Sequence, residues 1–168
     1  MTVLSMRYFG DPVLRTVADA VPEASVGDTH LRTLVADMEE TMEHFGGVGL
    51  AANQVGVTKR VFVYNCDGDA GHVINPAWEA IGEEQQTGPE GCLSIPEIRG
   101  DVTRAQRVRL RGVTVDGDPV DREVEGLLAR CVQHETDHLN GVLFLTHLPA
   151  DQRKQAMQQI RQSEWFNS

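Results

Sequence analysis

Residues 131–141 read CVQHETDHLNG, with His134 and His138 one helical turn apart and Glu135 directly after the first of them. On a helix the two imidazoles point the same way and can share one metal ion. A carboxylate beside the first ligand is then placed to move a proton at a water activated there. A lone histidine on an apolar helix stripe is usually a packed core residue, and that plain reading is kept for His30, His44, His72 and His147, taken as surface or structural. The paired spacing with Glu135 inserted favours a metal instead. Asp137 points off that face and reads as a structural charge.

Two ligands leave such a site incomplete, and spacing does not settle the third. In the peptidase pattern H-E-x-x-H-x-x-G-x-x-H the last position falls on Phe144, which cannot bind a metal. The one glutamate after His138 is Glu164, near the C-terminus. Cys131 shares the helical face, but residues 131 to 138 span about 10 Å of axis at 1.5 Å per residue, too far for one short thiol to join both imidazoles. Cys131 therefore reads as core, as does Cys66 at the end of a strand-like run. Cys92 lies in TGPEGCLSIPE, a Gly- and Pro-punctuated segment, and taken alone is either a free loop thiol or a ligand.

These residues need a frame to hold them. Asp28 or Thr29 can cap a helix whose apolar Leu31, Leu34, Val35, Met38, Met42 and Phe45 follow helical spacing, and Gly46-Gly47 ends it. Strand-like runs follow at 60–65 (RVFVYN), near 74 (HVINP), at 107–115 (RVRLRGVTV) and after the DGDP turn at 116–119, too closely spaced for crossover helices. A second helix, from about Gly126 to Asn140, carries the histidine pair and stops at Gly141; another, after Pro149, sets Ala156, Met157 and Ile160 on one face. The expected fold is α+β, with antiparallel β-sheets packed around a central metal-binding helix carrying HExxH, and an N-terminal and a C-terminal helix. A length of 168 residues fits one catalytic domain on a prior of roughly 150 per domain, with 150–168 as C-terminal helix and tail.

A formal net charge of -10 argues against a nucleic-acid surface, which needs clustered Lys and Arg. The N-terminus lacks the pattern of a signal peptide, and no apolar run approaches the roughly 18 residues that span a bilayer. The expectation is a cytoplasmic chain with no membrane partner, whose cysteines Cys66, Cys92 and Cys131 are reduced and available as thiolates.

Three motifs in order, GVGLAANQ at 47–54, EGCLS at 90–94 and QHETDHL at 133–139, resemble the peptide deformylases, which remove the N-formyl group from new bacterial proteins. DPVLR at 11–15, INP at 74–76, GLLA at 126–129 and GVLF at 141–144 extend the resemblance over most of the chain to about residue 148. Position by position, it implies that Cys92, His134 and His138 bind one divalent metal with water in the fourth place, and that Glu135 acts as base and then as acid. It implies Fe2+ in cells, with Zn2+, Ni2+ or Co2+ able to occupy the same site, whereas ligand chemistry alone suits zinc. It also places the Gln54 side-chain amide and the Leu93 backbone N–H at the developing oxyanion, and a methionine side chain among Val48, Leu127, Cys131 and the His134 ring. Gly47 and Gly49 would let main chain approach an extended peptide that pairs as an added strand.

The implied partner is an N-formylmethionyl peptide, together with a transient ribosome contact through the weakly basic tail. The sequence departs from several relatives at Arg130, where they carry an aliphatic residue, and at Gly88-Pro89. Arg130 is expected to lay its methylene stem along the pocket and keep its head in water. On the residues alone, a zinc endopeptidase built on the same helix and a cysteine hydrolase with Cys92 as nucleophile stay open.

Overall fold

The run VFVYNC places successive side chains on opposite faces, and nearly all of them are buried. As strand β2 (Val61–Cys66) it sends Phe62, Tyr64 and Cys66 into one hydrophobic cluster and Val61 and Val63 into another, so both faces of its sheet must be covered. The computed structural model, which describes residues 1–168, sets β2 inside a five-stranded antiparallel sheet ordered β1-β2-β3-β6-β7. The other strands are β1 (Gly49–Ala51), β3 (Asp69–Ala80), β6 (Arg107–Val113) and β7 (Pro119–Glu125).

Helix α1 (Thr29–His44) covers one face of this sheet. Asp28 caps it by accepting from the Leu31 N–H at 2.7 Å, and Leu31, Val35, Met38 and Met42 pack over Val61, Val63 and Ile74. Helix α2 (Gly126–Leu139) covers the other face, with Leu128, Cys131, Val132 and Leu139 against Phe62, Val73, Val108 and Leu110. Its chain leaves through Gly141 at φ 73°, where an added Cβ would lie 2.6 Å from the Arg15 carbonyl oxygen.

The far side of α2 meets a second sheet, the hairpin of β4 (Gln85–Cys92) and β5 (Ile95–Ala105) joined by the turn Leu93-Ser94. Sandwiched this way, α2 is buried on nearly every side, so its polar side chains must find partners inside the protein. Helix α3 (Ala150–Gln162) packs Ala156 and Ile160 against Ile95, Ile98, Val102 and Phe144, and the short α4 (Glu164–Asn167) follows. No helix is long and apolar enough to cross a membrane.

The α+β class with antiparallel sheets is as expected, but the hairpin is a correction. TGPEGCLSIPE reads as a punctuated loop, yet it forms the end of β4, the turn and the start of β5. Gly88, Pro89 and Gly91 hide the alternation, and β4 tolerates Pro89 because it is the edge of a two-stranded ladder. What holds it as a strand is burial of β5's Ile95, Ile98 and Val102 in the third cluster. In the larger sheet, Leu110 is fully buried between strand and α2. Replacing it, Leu110→Ala, is expected to cost about 2–5 kcal/mol of stability, read as a lowered midpoint in urea unfolding with unchanged slope.

Candidate active site

Helix α2 and the end of β4 bring three ligand atoms together. One from each of Cys92, His134 and His138 lie within 4.8 Å of one another. Cys92 Sγ is 3.2 Å from His138 Nε2, which is 3.2 Å from His134 Nε2. The register of the hairpin shifts between Gly91 and Cys92, a bulge that re-aims the thiol toward the helix. Cys131 stands apart from this group, its thiol directed at the Val48 carbonyl at 3.6 Å, as a core cysteine.

A carboxylate absent from the sequence reading organises the cluster. Glu90, 5% exposed, accepts from His134 Nδ1 at 2.7 Å, from Arg104 at 2.6 and 3.1 Å, and from Arg130 at 2.7 Å. Burial alone would raise this carboxyl, but the hydrogen bonds from His134 and Arg104 overcome it and hold it far below the usual range. Because an ionised carboxylate only accepts, Nδ1 of His134 carries a proton, and the ring turns Nε2 toward the other two ligand atoms. Against burial, Glu135 and the hydrogen bonds with Cys92 and Glu90 push His134 well above the ordinary histidine value, a proton that a bound cation would displace from Nε2. Burial and the neighbouring His134 push His138 well below that value, so its ring is neutral. A soft sulfur and two imidazoles crowded around one point, the His134 ring held from behind by Glu90 and the His138 Nδ1 buried without a partner, suit a divalent cation.

Glu135 is buried, with Oε1 lacking any partner and Oε2 4.0 Å from His134 Nε2. Burial, against the opposing effect of His134, pushes its carboxyl up to about 7. A group that titrates near neutrality can both take and return a proton. Gln54, on a 3₁₀ turn at Ala52–Val55, is anchored by Oε1 to the Ala51 N–H at 3.0 Å and points Nε2 at Ser94 Oγ (3.1 Å) and Cys92 Sγ (3.5 Å). The Leu93 N–H, in the hairpin turn, has no main-chain acceptor.

These groups border a cavity of about 660 Å³, lined also by Val48, Gly49, Leu127, Arg130, Cys131 and His134. Of the residues assigned to the site from the sequence, His138 alone lies behind the cavity wall.

A family profile described as polypeptide deformylase matches residues 3–154. The chain belongs to that family. Peptide deformylase 1 of Corynebacterium efficiens is 57% identical to it over 171 residues, covering 99% of each chain. Among solved structures, peptide deformylase from Ehrlichia chaffeensis superposes with a TM-score of 0.89 at 35% identity over 99% of each chain. The enzyme from Synechococcus elongatus, in complex with actinonin, gives 0.87 at 38%, covering 95% of this chain and 86% of that one.

Within this deformylase, Arg130 corrects an expectation. Its head does not simply reach for water: Nη1 turns inward and donates to Glu90 and to the Val102 carbonyl at 3.0 Å, and the residue is 9% exposed. The buried carboxylate attracts the guanidinium more than solvent does, because a charge-assisted bond is stronger away from water. Glu90 could have been suspected from its place two residues before Cys92, whereas Arg104, on the unrecognised strand β5, carried no local signal.

The backbone at Gly49 passes so close that an added Cβ would sit 2.5 Å from Glu135 Oε2 and 2.6 Å from Cys131 Sγ. At Gly47 a Cβ would meet Leu93 Cδ1 at 2.6 Å. Gly49→Ala should therefore displace the Glu135 carboxylate and lower kcat/KM roughly 100-fold while the far-ultraviolet circular dichroism stays that of the parent.

Proposed function

We propose that this deformylase hydrolyses the formamide C–N bond of N-formylmethionyl peptides, releasing formate, with Cys92, His134 and His138 holding one divalent metal and Glu135 transferring the proton. The observation that carries the reading is the gathering of the three ligand atoms within 4.8 Å beside a buried, partnerless carboxylate oxygen on the wall of an open cavity. The family is metal-dependent, and Fe2+ in cells is the finer assignment, with Zn2+, Ni2+ or Co2+ as replacements; the mixed sulfur and nitrogen donor set supports a transition metal over Mg2+ or Ca2+. Such a cation supplies Lewis-acid chemistry that brings the pKa of water toward neutrality.

The chain's own residues do the rest. Glu135 accepts the proton of the attacking water and later returns it to the departing amine nitrogen. As the formyl oxygen gains negative charge, the Leu93 N–H and the Gln54 Nε2 amide donate to it, the latter fixed by Ala51 and Ser94. Val48, Leu127 and Cys131 take the methionine side chain, and the main chain near Gly47 and Gly49 pairs with the extended peptide. Glu90 holds the His134 ring in the tautomer that offers Nε2.

Residues 150–168 contribute a second reading, in which the exposed Arg153, Lys154 and Arg161 touch the ribosome as formylated chains emerge. Because α3 buries Ala156 and Ile160, charge reversal at these positions tests this better than deletion, and cosedimentation with ribosomes should fall in Arg153→Glu/Lys154→Glu.

Formate release from formyl-Met-Ala-Ser by anaerobically purified protein tests the main reading. Glu135→Ala is expected to lower kcat by roughly 10²–10⁴-fold with metal content unchanged. Cys92→Ser should lose bound metal, and Glu90→Gln should weaken metal affinity about 10–100-fold. Full metal occupancy in Cys92→Ser would overturn the ligand set, and activity that survives chelation would return Cys92 to the role of nucleophile.

A further inference from the structure

Arg130 is 9% exposed, yet only one of its three side-chain nitrogens is used. Nη1 donates to Glu90 Oε2 at 2.7 Å and to the Val102 carbonyl at 3.0 Å, while Nη2 and Nε have no acceptor within the chain. A guanidinium carries five N–H groups, so with the two on Nη1 engaged, three remain. Neither free nitrogen is sealed inside the protein, and the side chain lines the same cavity as Leu127, Cys131 and His134. Gly88 leaves the head uncovered: a Cβ there would lie 3.8 Å from Nη2, and a longer side chain would extend over it.

We infer that Arg130 is a specificity-determining residue that equips the pocket for the first side chain with hydrogen-bond donors, so that the enzyme also deformylates peptides beginning with formyl-methionine sulfoxide. The inference rests on the deformylase reading above. Methionine's thioether is a weak acceptor, whereas its sulfoxide presents an oxygen that is a strong one, on a side chain of the same length. In a wholly apolar slot that oxygen would give up its water without replacement, and the substrate would be rejected. Here Nη2 or Nε replaces the water. The donor is permanent, since a guanidinium does not lose its proton in a protein. Glu90 fixes its direction, being held on its other side by Arg104 and His134. The bond changes are those of the parent reaction: water adds to the formyl carbon, the C–N bond breaks, formate leaves and the amine takes up a proton.

The test compares kcat/KM for formyl-Met-Ala-Ser, formyl-norleucyl-Ala-Ser and formyl-methionine-sulfoxide-Ala-Ser in the metal-loaded parent, Arg130→Ile and Arg130→Lys. Norleucine matches methionine in length and has no acceptor, so its rate in each protein absorbs any general loss from loosening Glu90. The sulfoxide-to-norleucine ratio should fall about tenfold or more in Arg130→Ile and be partly restored in Arg130→Lys, which keeps a donor cation. Gly88→Val, which covers Nη2 and leaves the Glu90 contacts in place, should lower the same ratio and serves if the Arg130 variants do not fold. An unchanged ratio in the folded variants overturns the inference and leaves the deformylase reading standing on the formyl-Met rate. Absence of formate from all three peptides with the parent overturns both.

Discussion

The Glu90 carboxylate binds the two halves of the site to each other. Oε1 accepts from His134 and Arg104, and Oε2 from Arg104 and Arg130, so one side chain at the end of β4 is tied both to α2 and to β5. Cys92 lies two residues further along the same strand, and its distance from the imidazoles is therefore set by how firmly Glu90 grips the helix. Shape alone would not achieve this. Apolar packing between hairpin and helix tolerates shifts of a fraction of an ångström, whereas four charge-assisted bonds on one carboxylate have directions as well as lengths.

Burying so many charges is expensive unless they are paired. Glu90 and Arg104 side chains are each 5% exposed, Arg130 10% and Asp137 21%. Two carboxylates and two guanidiniums balance formally, and Asp137 closes the chain by taking Arg104 Nη1 at 2.7 Å and His147 at 2.9 Å. The arrangement contributes little net stability compared with a well-packed apolar core, since desolvation offsets most of the attraction. Its value is orientation. Removing one member would leave a buried charge unpaired, at about 3–5 kcal/mol, so the network resists piecemeal change. Glu135 lies beside it but outside it, with an oxygen left unbonded, and is free to exchange a proton where the others are not.

What the sequence made legible follows from how local each signal is. Helix α1, with its Asp28 cap and 3.6-residue stripe, and α2, with its histidine pair, are written in neighbouring residues, and so are β2 and β6 with their Val-, Phe- and Leu-rich alternation. Cys92 is chemically conspicuous, but its meeting with α2 across 46 residues of sequence is visible only through family resemblance. The hairpin around it was opaque because glycine and proline occupy positions where alternation would show, and its strands depend on a hydrophobic cluster contributed by residues 143–160. Arg130 misled for a physical reason. A long cationic side chain beside a pocket ordinarily reaches for water, and only the partner carboxylate, 40 positions away, reverses that preference.

The hairpin turn also accounts for why the third member of the cluster, a thiol, lies off the helix. Ligands on one helix face separated by a full extra turn cannot converge on a single ion, so a third donor must arrive from another element, and a strand end can approach at right angles to the helix axis. A two-residue turn does more than deliver the thiol. Leu93 follows Cys92 directly and exposes a main-chain N–H beside it, and Ser94 receives the Gln54 amide that points at the same sulfur. The proposed ligand, one proposed donor and the anchor of the other thus occupy three consecutive residues, whose relative positions are fixed by the closing pair Cys92–Ile95. A longer, mobile loop could carry the same three side chains, but each would then have to be immobilised separately at the moment of reaction, which is the reorganisation that a preformed site avoids.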